Sequence, residues 1–163
     1  MNLERAFVYF ASGDERRLTK SGWIRALTDS PFAHCAVGYG HVVLDPHGMG
    51  NRLWPLVQYE RLYPGLLCRY SLRTPGDPGL DRLPLGVPKP TLPTLARWVA
   101  PRIFPDCGWS DCVQTVRHAL RHAGVDVPRL ITPADLYRWC LSLGAEPKEM
   151  KCPEKSKTIA LTV

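Results

Sequence analysis

The sequence holds no window approaching 18 consecutive apolar residues, which excludes a self-sufficient membrane-spanning helix. It has no run of five or six like charges, so no solvated charged tail is marked out for an interaction. Lys and Arg (21) outnumber Asp and Glu (15), for a net charge of +6. The excess is spread as single or paired residues such as Arg16-Arg17, Arg117 and Arg121, and only Lys148, Lys151, Lys155 and Lys157 cluster. A basic surface accounts for that distribution, and no nucleic-acid partner is expected. No Cys-x-x-Cys pair occurs, which argues against structural zinc, and no other metal or cofactor is expected. No internal repeat is present. The opening Met1-Asn2-Leu3-Glu4-Arg5-Ala6 lacks the basic stretch and apolar core of an export signal. A cytoplasmic or virion-associated location is therefore expected, in which cysteines stay reduced.

What is present describes one globular domain over residues 1–163, with 45% hydrophobic and 22% charged residues. Half of the 16 prolines fall between Pro75 and Pro105, which marks a Pro-rich crossover at about 73–105. A segment of this length without periodicity is usually functional, as a lid or an ordered crossover. The six cysteines are an even number and invite a disulfide reading. In a reducing compartment they are more often buried, metal-bound or catalytic.

Phe7 to Phe10 reads as a buried strand, followed by a helix over Ser21 to Leu27 with Trp23, Ala26 and Leu27 at apolar spacing. Ser30-Pro31 is expected to end that helix, because the residue before proline is pushed out of the helical region. His34 to Tyr39 and His41 to Leu44 predict a tight hairpin around Gly40. Asp45 to Asn51 reads as a loop by composition. Trp54 to Tyr63 has roughly helical spacing, with Pro55 suited to the first helical position. Leu66 to Leu72 predicts a further strand. Two helices follow, from about Asp111 to Ala123 before Gly124, and from Thr132-Pro133-Ala134-Asp135 to Gly144. Thr158 to Val163 is a last strand candidate.

The most informative segment is Pro105-Asp106-Cys107-Gly108-Trp109-Ser110-Asp111-Cys112-Val113-Gln114. Asp111 with Gln114 three residues on is a capping-box pattern, which makes Cys112 the first helical residue. There the sulfur sits beside unpaired backbone N–H groups at the positive end of the helix dipole. That position lowers a thiol pKa, and the thiolate is the nucleophile. Asp111 and Trp109, flanking the cysteine, are the expected cap and oxyanion-site residues. At about 100° per residue, Val116, Ala119, Leu120 and Ala123 lie within roughly 80° of Cys112 on the face that packs. His118 and His122 lie on the other side, so the base must come from elsewhere. His34, at the start of a strand, is the candidate, with Asp45 to orient it and His47 as the fallback. Cys35, Cys68 and Cys140 read as core residues. Cys35 is expected on the opposite face of its strand from His34.

Trp23-Ile24-Arg25-Ala26-Leu27-Thr28-Asp29-Ser30-Pro31-Phe32-Ala33-His34-Cys35-Ala36-Val37-Gly38 resembles the helix, turn and catalytic-histidine strand of the circularly permuted papain-like hydrolases. These include the NlpC-type cell-wall peptidases and lecithin:retinol acyltransferase. Asp111-Cys112-Val113 is similar to their catalytic-cysteine element, and Thr132-Pro133-Ala134-Asp135-Leu136-Tyr137 to the helix after it in phage members. The resemblance covers roughly residues 6 to 143. It implies an α+β domain with an antiparallel sheet packed against the cysteine helix, with Cys112 as nucleophile and His34 as general base. A peptide or amide substrate cleaved through a thioester is the expected chemistry. A lipid acyl substrate, landing on the Leu- and Pro-rich segment Leu80 to Leu95, is the alternative. So is a non-catalytic phage or bacterial binding module. Oligomeric state is left open.

Overall fold

A continuous apolar run from Ala6 to Ala11 in β1 (Glu4–Ala11) buries both of its faces, as expected of a central strand. The structure, a computed structural model, describes residues 4–12, 20–47, 50–63, 65–83, 85, 111–130, 132–144 and 147–150. The other strands among these are β2 (His34–Tyr39), β3 (Val42–His47), β4 (Gly50–Pro55), β5 (Leu66–Thr74) and β6 (Lys148–Glu149). They form one antiparallel sheet in the order β4-β3-β2-β1-β5-β6. The helices are α1 (Lys20–Thr28), α2 (Leu56–Leu62), α3 (Cys112–His122) and α4 (Pro133–Ser142), with a 3-10 turn at Leu80–Arg82. The fold class is α+β. No helix among the described residues is long and apolar enough to cross a membrane.

Each face of the sheet carries its own core. Val8 and Phe10 of β1, Cys35 and Val37 of β2, Leu44 of β3 and Tyr70 of β5 pack against Val113, Val116, Ala119 and Leu120 of α3 and Leu136 of α4. On the reverse, Tyr9, Ala11, Ala36, Val43 and Leu66 pack with Tyr59 of α2. The helical face expected for α3 is the buried one. Thr132 caps α4 with a reciprocal box: its hydroxyl accepts from the Asp135 N–H at 3.1 Å, and Asp135 Oδ2 accepts from the Thr132 N–H at 3.0 Å.

Several sequence expectations are corrected. Helix α1 stops at Thr28, before Ser30-Pro31, because Asp29 takes a left-handed backbone (φ 44) and the Ser30 N–H returns to the Arg25 carbonyl at 3.3 Å. That is the closing turn which glycine usually supplies. On α1 Ile24 is buried and Ala26 exposed, while the side chains of Trp23 and Leu27 lie outside those described. Asp45 to Asn51 is no open loop: β3 runs on to His47 and β4 begins at Gly50, with Asp45 opposite Arg52 and Pro46 opposite Asn51. Pairing of β3 with β2 ends at Leu44 opposite Val37, so Pro46 faces no second ladder that would need its missing N–H. Trp54 and Pro55 close β4, and α2 starts only at Leu56.

The hairpin β2–β3 turns through Gly40-His41, with Gly40 at φ 57 in the first turn position. The start of the Pro-rich crossover is ordered against α3: the Gly76 N–H bonds the Ala123 carbonyl at 3.0 Å, and Leu80 and Leu83 are buried. Leu85 bridges to Asn51 in parallel. Pro84, the crossover beyond Leu85, with Cys107 and Trp109, and the strand expected over Thr158 to Val163 lie outside the described residues.

Candidate active site

Three features bring His34 to the end of the sheet beside the start of α3. The Phe32 N–H bonds the Ser30 hydroxyl at 3.2 Å, which folds the turn ahead of β2. The Phe32 ring then packs on Tyr137 of α4 and Phe10 of β1, with centroids at 4.4 and 5.3 Å. The Ala33 N–H bonds the Ala11 carbonyl at 3.0 Å, so β2 opens with His34 opposite Ala11. Each of these contacts fixes the strand's first residue, and with it the imidazole.

Asp111 caps α3. Its Oδ1 accepts from the Gln114 N–H at 2.8 Å and its carbonyl accepts from the Thr115 hydroxyl at 2.9 Å. The reciprocal half of the expected box is not made. The Gln114 side chain is buried and donates instead to the Leu130 carbonyl at 3.2 Å, tying α3 to the segment before α4. Cys112 is thus the first helical residue, half-buried, with its sulfur at the positive helix end.

Cys112, His34 and Asp45 form one connected chain. His34 Nε2 lies 2.7 Å from Asp45 Oδ1 and donates to it. That occupies one ring nitrogen, so Nδ1 is the one left for the hydrogen bond with the Cys112 side chain. Strand alternation explains the first contact. Val37 and Leu44 oppose each other, which puts His34 and Asp45 together on the other face of the sheet as diagonal neighbours. The contact with Cys112 crosses between faces, because His34 is the first residue of its strand, where the sheet ends. The Asp45 side chain is 3% exposed and that of His34 14%, so solvent reaches the imidazole and scarcely the carboxylate.

The charges follow from this geometry. A hydrogen bond from the Cys35 thiol is the largest effect on Cys112. Burial opposes it, and the His34 ring and the Cys35 backbone N–H reinforce it, leaving the Cys112 thiol well below its ordinary value. For His34 burial disfavours the charged ring. The hydrogen bonds to Asp45 and Cys112, with the negative charges of both, outweigh it and push the imidazole from 6.5 up to about 9. The favoured state is a thiolate beside an imidazolium.

Two participants were not singled out from sequence. Tyr63, just after α2, stacks on His34 (centroids 5.8 Å, planes 17° apart), and its hydroxyl hydrogen-bonds Asp45. The four-residue spacing of Tyr59 and Tyr63, whose rings stack at 4.4 Å, was the available signal. Cys35 is fully buried as expected, and on the opposite face from His34, yet that is the face on which α3 packs, so it meets Cys112. His47 lies exposed at the end of β3, and the His34 ring nitrogen it was to orient is held by Asp45. His118 and His122 sit on the exposed side of α3, and His122 Nδ1 lies 3.2 Å from the Asp77 carbonyl. Among the described residues no group of three or more His, Cys, Asp or Glu is arranged to hold a metal ion.

Comparison with family models, with curated proteins and with solved structures finds no match to this chain.

Proposed function

We propose that this chain is a cysteine hydrolase of the permuted papain-like kind, which cleaves an amide or peptide bond through a thioester on Cys112. The observation that carries this is the hydrogen-bonded sequence Cys112–His34–Asp45, with the sulfur at a helix N-terminus and the carboxylate buried. A thiol, a base and a group that orients the base are what nucleophilic acyl transfer needs. The Cys112 thiolate attacks the carbonyl carbon. Backbone N–H groups of the first turn of α3 face the oxygen that gains charge. His34 gives its Nδ1 proton to the leaving amine and then takes one from the water that opens the thioester. Asp45 holds the Nε2–H throughout and so fixes the ring.

The order of elements also supports the permuted arrangement, since the histidine strand precedes the cysteine helix and that helix packs on the sheet. In the described part of Leu80 to Leu95, Leu80 and Leu83 are buried and Leu85 is exposed, which leaves little apolar surface for a lipid acyl substrate. The test offers the purified chain peptide, isopeptide and lipid-ester substrates and follows product and acyl-enzyme by mass spectrometry. Amide cleavage with acyl transfer onto Cys112, lost in Cys112→Ser, is expected. Ester cleavage alone would move the protein to the lipid class. Unchanged turnover in Cys112→Ser would overturn the proposal.

A further inference from the structure

The hydrolytic steps leave one sulfur without a chemical role. Cys35 is the second residue of β2, and its side chain lies on the face that α3 covers. It is fully buried, Cys112 packs against the core cluster that contains it, and the two thiol groups share a hydrogen bond. The Cys35 backbone N–H also points at the Cys112 sulfur, which holds the two residues in register. None of the four described cysteines is disulfide-bonded. Cys35 and Cys68 both lie opposite Phe10, on either side of β1. They are therefore two strand spacings apart, roughly 10 Å, beyond the reach of a disulfide.

We propose that Cys35 and Cys112 form an oxidation site for small peroxides, in which Cys35 resolves oxidised Cys112 as an intramolecular disulfide. This rests on Cys112 being the reactive thiolate of the proposed hydrolase. The thiolate attacks one peroxide oxygen. The O–O bond breaks, the other oxygen leaves as water or an alcohol after taking a proton, and Cys112 becomes a sulfenic acid. The Cys35 sulfur then attacks the Cys112 sulfur. A sulfur–sulfur bond forms, the S–O bond breaks, and the hydroxyl leaves with the Cys35 proton as water. A dithiol reductant reverses the change by exchange. The disulfide removes the nucleophile from hydrolysis and shields its sulfur from irreversible oxidation to the sulfinic acid.

The experiment treats the reduced full chain with hydrogen peroxide, maps cysteine-containing peptides by mass spectrometry, and then adds dithiothreitol. The wild type is expected to lose two hydrogens, to yield a Cys35–Cys112 cross-linked peptide, and to regain alkylation of Cys112 on reduction. Cys35→Ser keeps a hydrogen-bond donor beside the sulfur and forms no cross-link. In that variant Cys112 proceeds to sulfinic acid and the reductant no longer recovers it. The wild-type map needs no variant to fold. Sulfinic acid at Cys112 of the wild type, or its pairing with Cys107, overturns the proposal even where rapid alkylation upholds the nucleophile. A Cys35–Cys112 cross-link in a protein that cleaves none of the peptide, isopeptide or ester substrates keeps the oxidation site and removes the hydrolase.

Discussion

Two pairs of cysteines occupy the same face of the same sheet, and their thiols are driven in opposite directions. In each pair a strand cysteine, Cys35 or Cys68, meets the layer of helices that carries Cys112 or Cys140. Burial pushes the Cys140 thiol up to about 12, with the neighbouring Cys68 adding to it. Burial likewise pushes Cys68 up to about 11, helped by the charge of Glu149. Cys112 is held well below its ordinary value. Burial alone therefore does not decide a thiol's state. Cys140 lies inside α4, where the backbone N–H groups are engaged in the helix, and the polar groups near it are the Cys68 thiol and the Tyr70 phenol, neither of them a cation. Cys112 is the first residue of α3, receives hydrogen bonds from Cys35, and faces an imidazole backed by a carboxylate. What separates the pairs is the supply of donors.

The largest expected effect breaks or keeps this contrast directly. At pH 7 iodoacetamide should alkylate Cys112 about a hundredfold or more faster than Cys140, read by peptide mass mapping, since only the thiolate reacts. Equal rates would erase the difference between the pairs. Next comes the imidazole. His34→Asn removes the positive partner, so the Cys112 thiol rises and its alkylation below pH 8 slows about tenfold per pKa unit regained. The gap between variant and wild type should close as pH rises past the ordinary thiol range, because both are then ionised. A gap that persists there would mean that His34 acts by access rather than charge.

Turnover carries the next signature. The proposed hydrolysis would need His34 protonated, so the rate should fall as pH rises through about 9, where the imidazolium loses its proton. It should also fall on the acid side as the thiolate is protonated, and both limbs belong to the coupled pair. Asp45→Asn withdraws the negative charge that helps to hold His34 up. The alkaline limb then moves toward lower pH, and turnover drops by about tenfold as the ring loses its orientation. A limb that stays near 9 in Asp45→Asn would assign the raised value to Cys112 alone.

How much of this was legible in the sequence differs between the two pairs. The position of Cys112 could be read because a cap is local: Asp111 and Gln114 announce the helix start within four residues. The tie between His34 and Asp45 could be read as far as neighbouring strands allow, although composition hid the strand itself. Pro46 and Gly50 look like a loop, and only the end of the β2 ladder at Leu44 makes proline tolerable there. The contact between Cys35 and Cys112 could not be read locally. It depends on which face α3 covers, a tertiary fact that alternation along β2 leaves open until the helix is docked. Gln114 shows the same limit, since its buried tie to Leu130 displaced the local cap contact.

The smallest effect separates reactivity from stability. Replacing a buried thiol by a hydroxyl inserts a stronger hydrogen-bonding group where no partner is provided. Cys140 is fully buried, with only the Cys68 thiol and the Tyr70 phenol as polar groups near it among the described residues, so Cys140→Ser should cost about 1–2 kcal/mol in urea unfolding. Cys112 is half-buried and already sits among donors and an imidazole, so Cys112→Ser finds partners ready and should shift stability by less than ~0.5 kcal/mol. The variant that abolishes alkylation at the reactive position should therefore be the one that leaves the fold intact, while the unreactive cysteine should be the one the fold requires. If Cys112→Ser were the more destabilising, the donors around that sulfur would serve packing rather than chemistry. The two pairs would then differ in local structure alone.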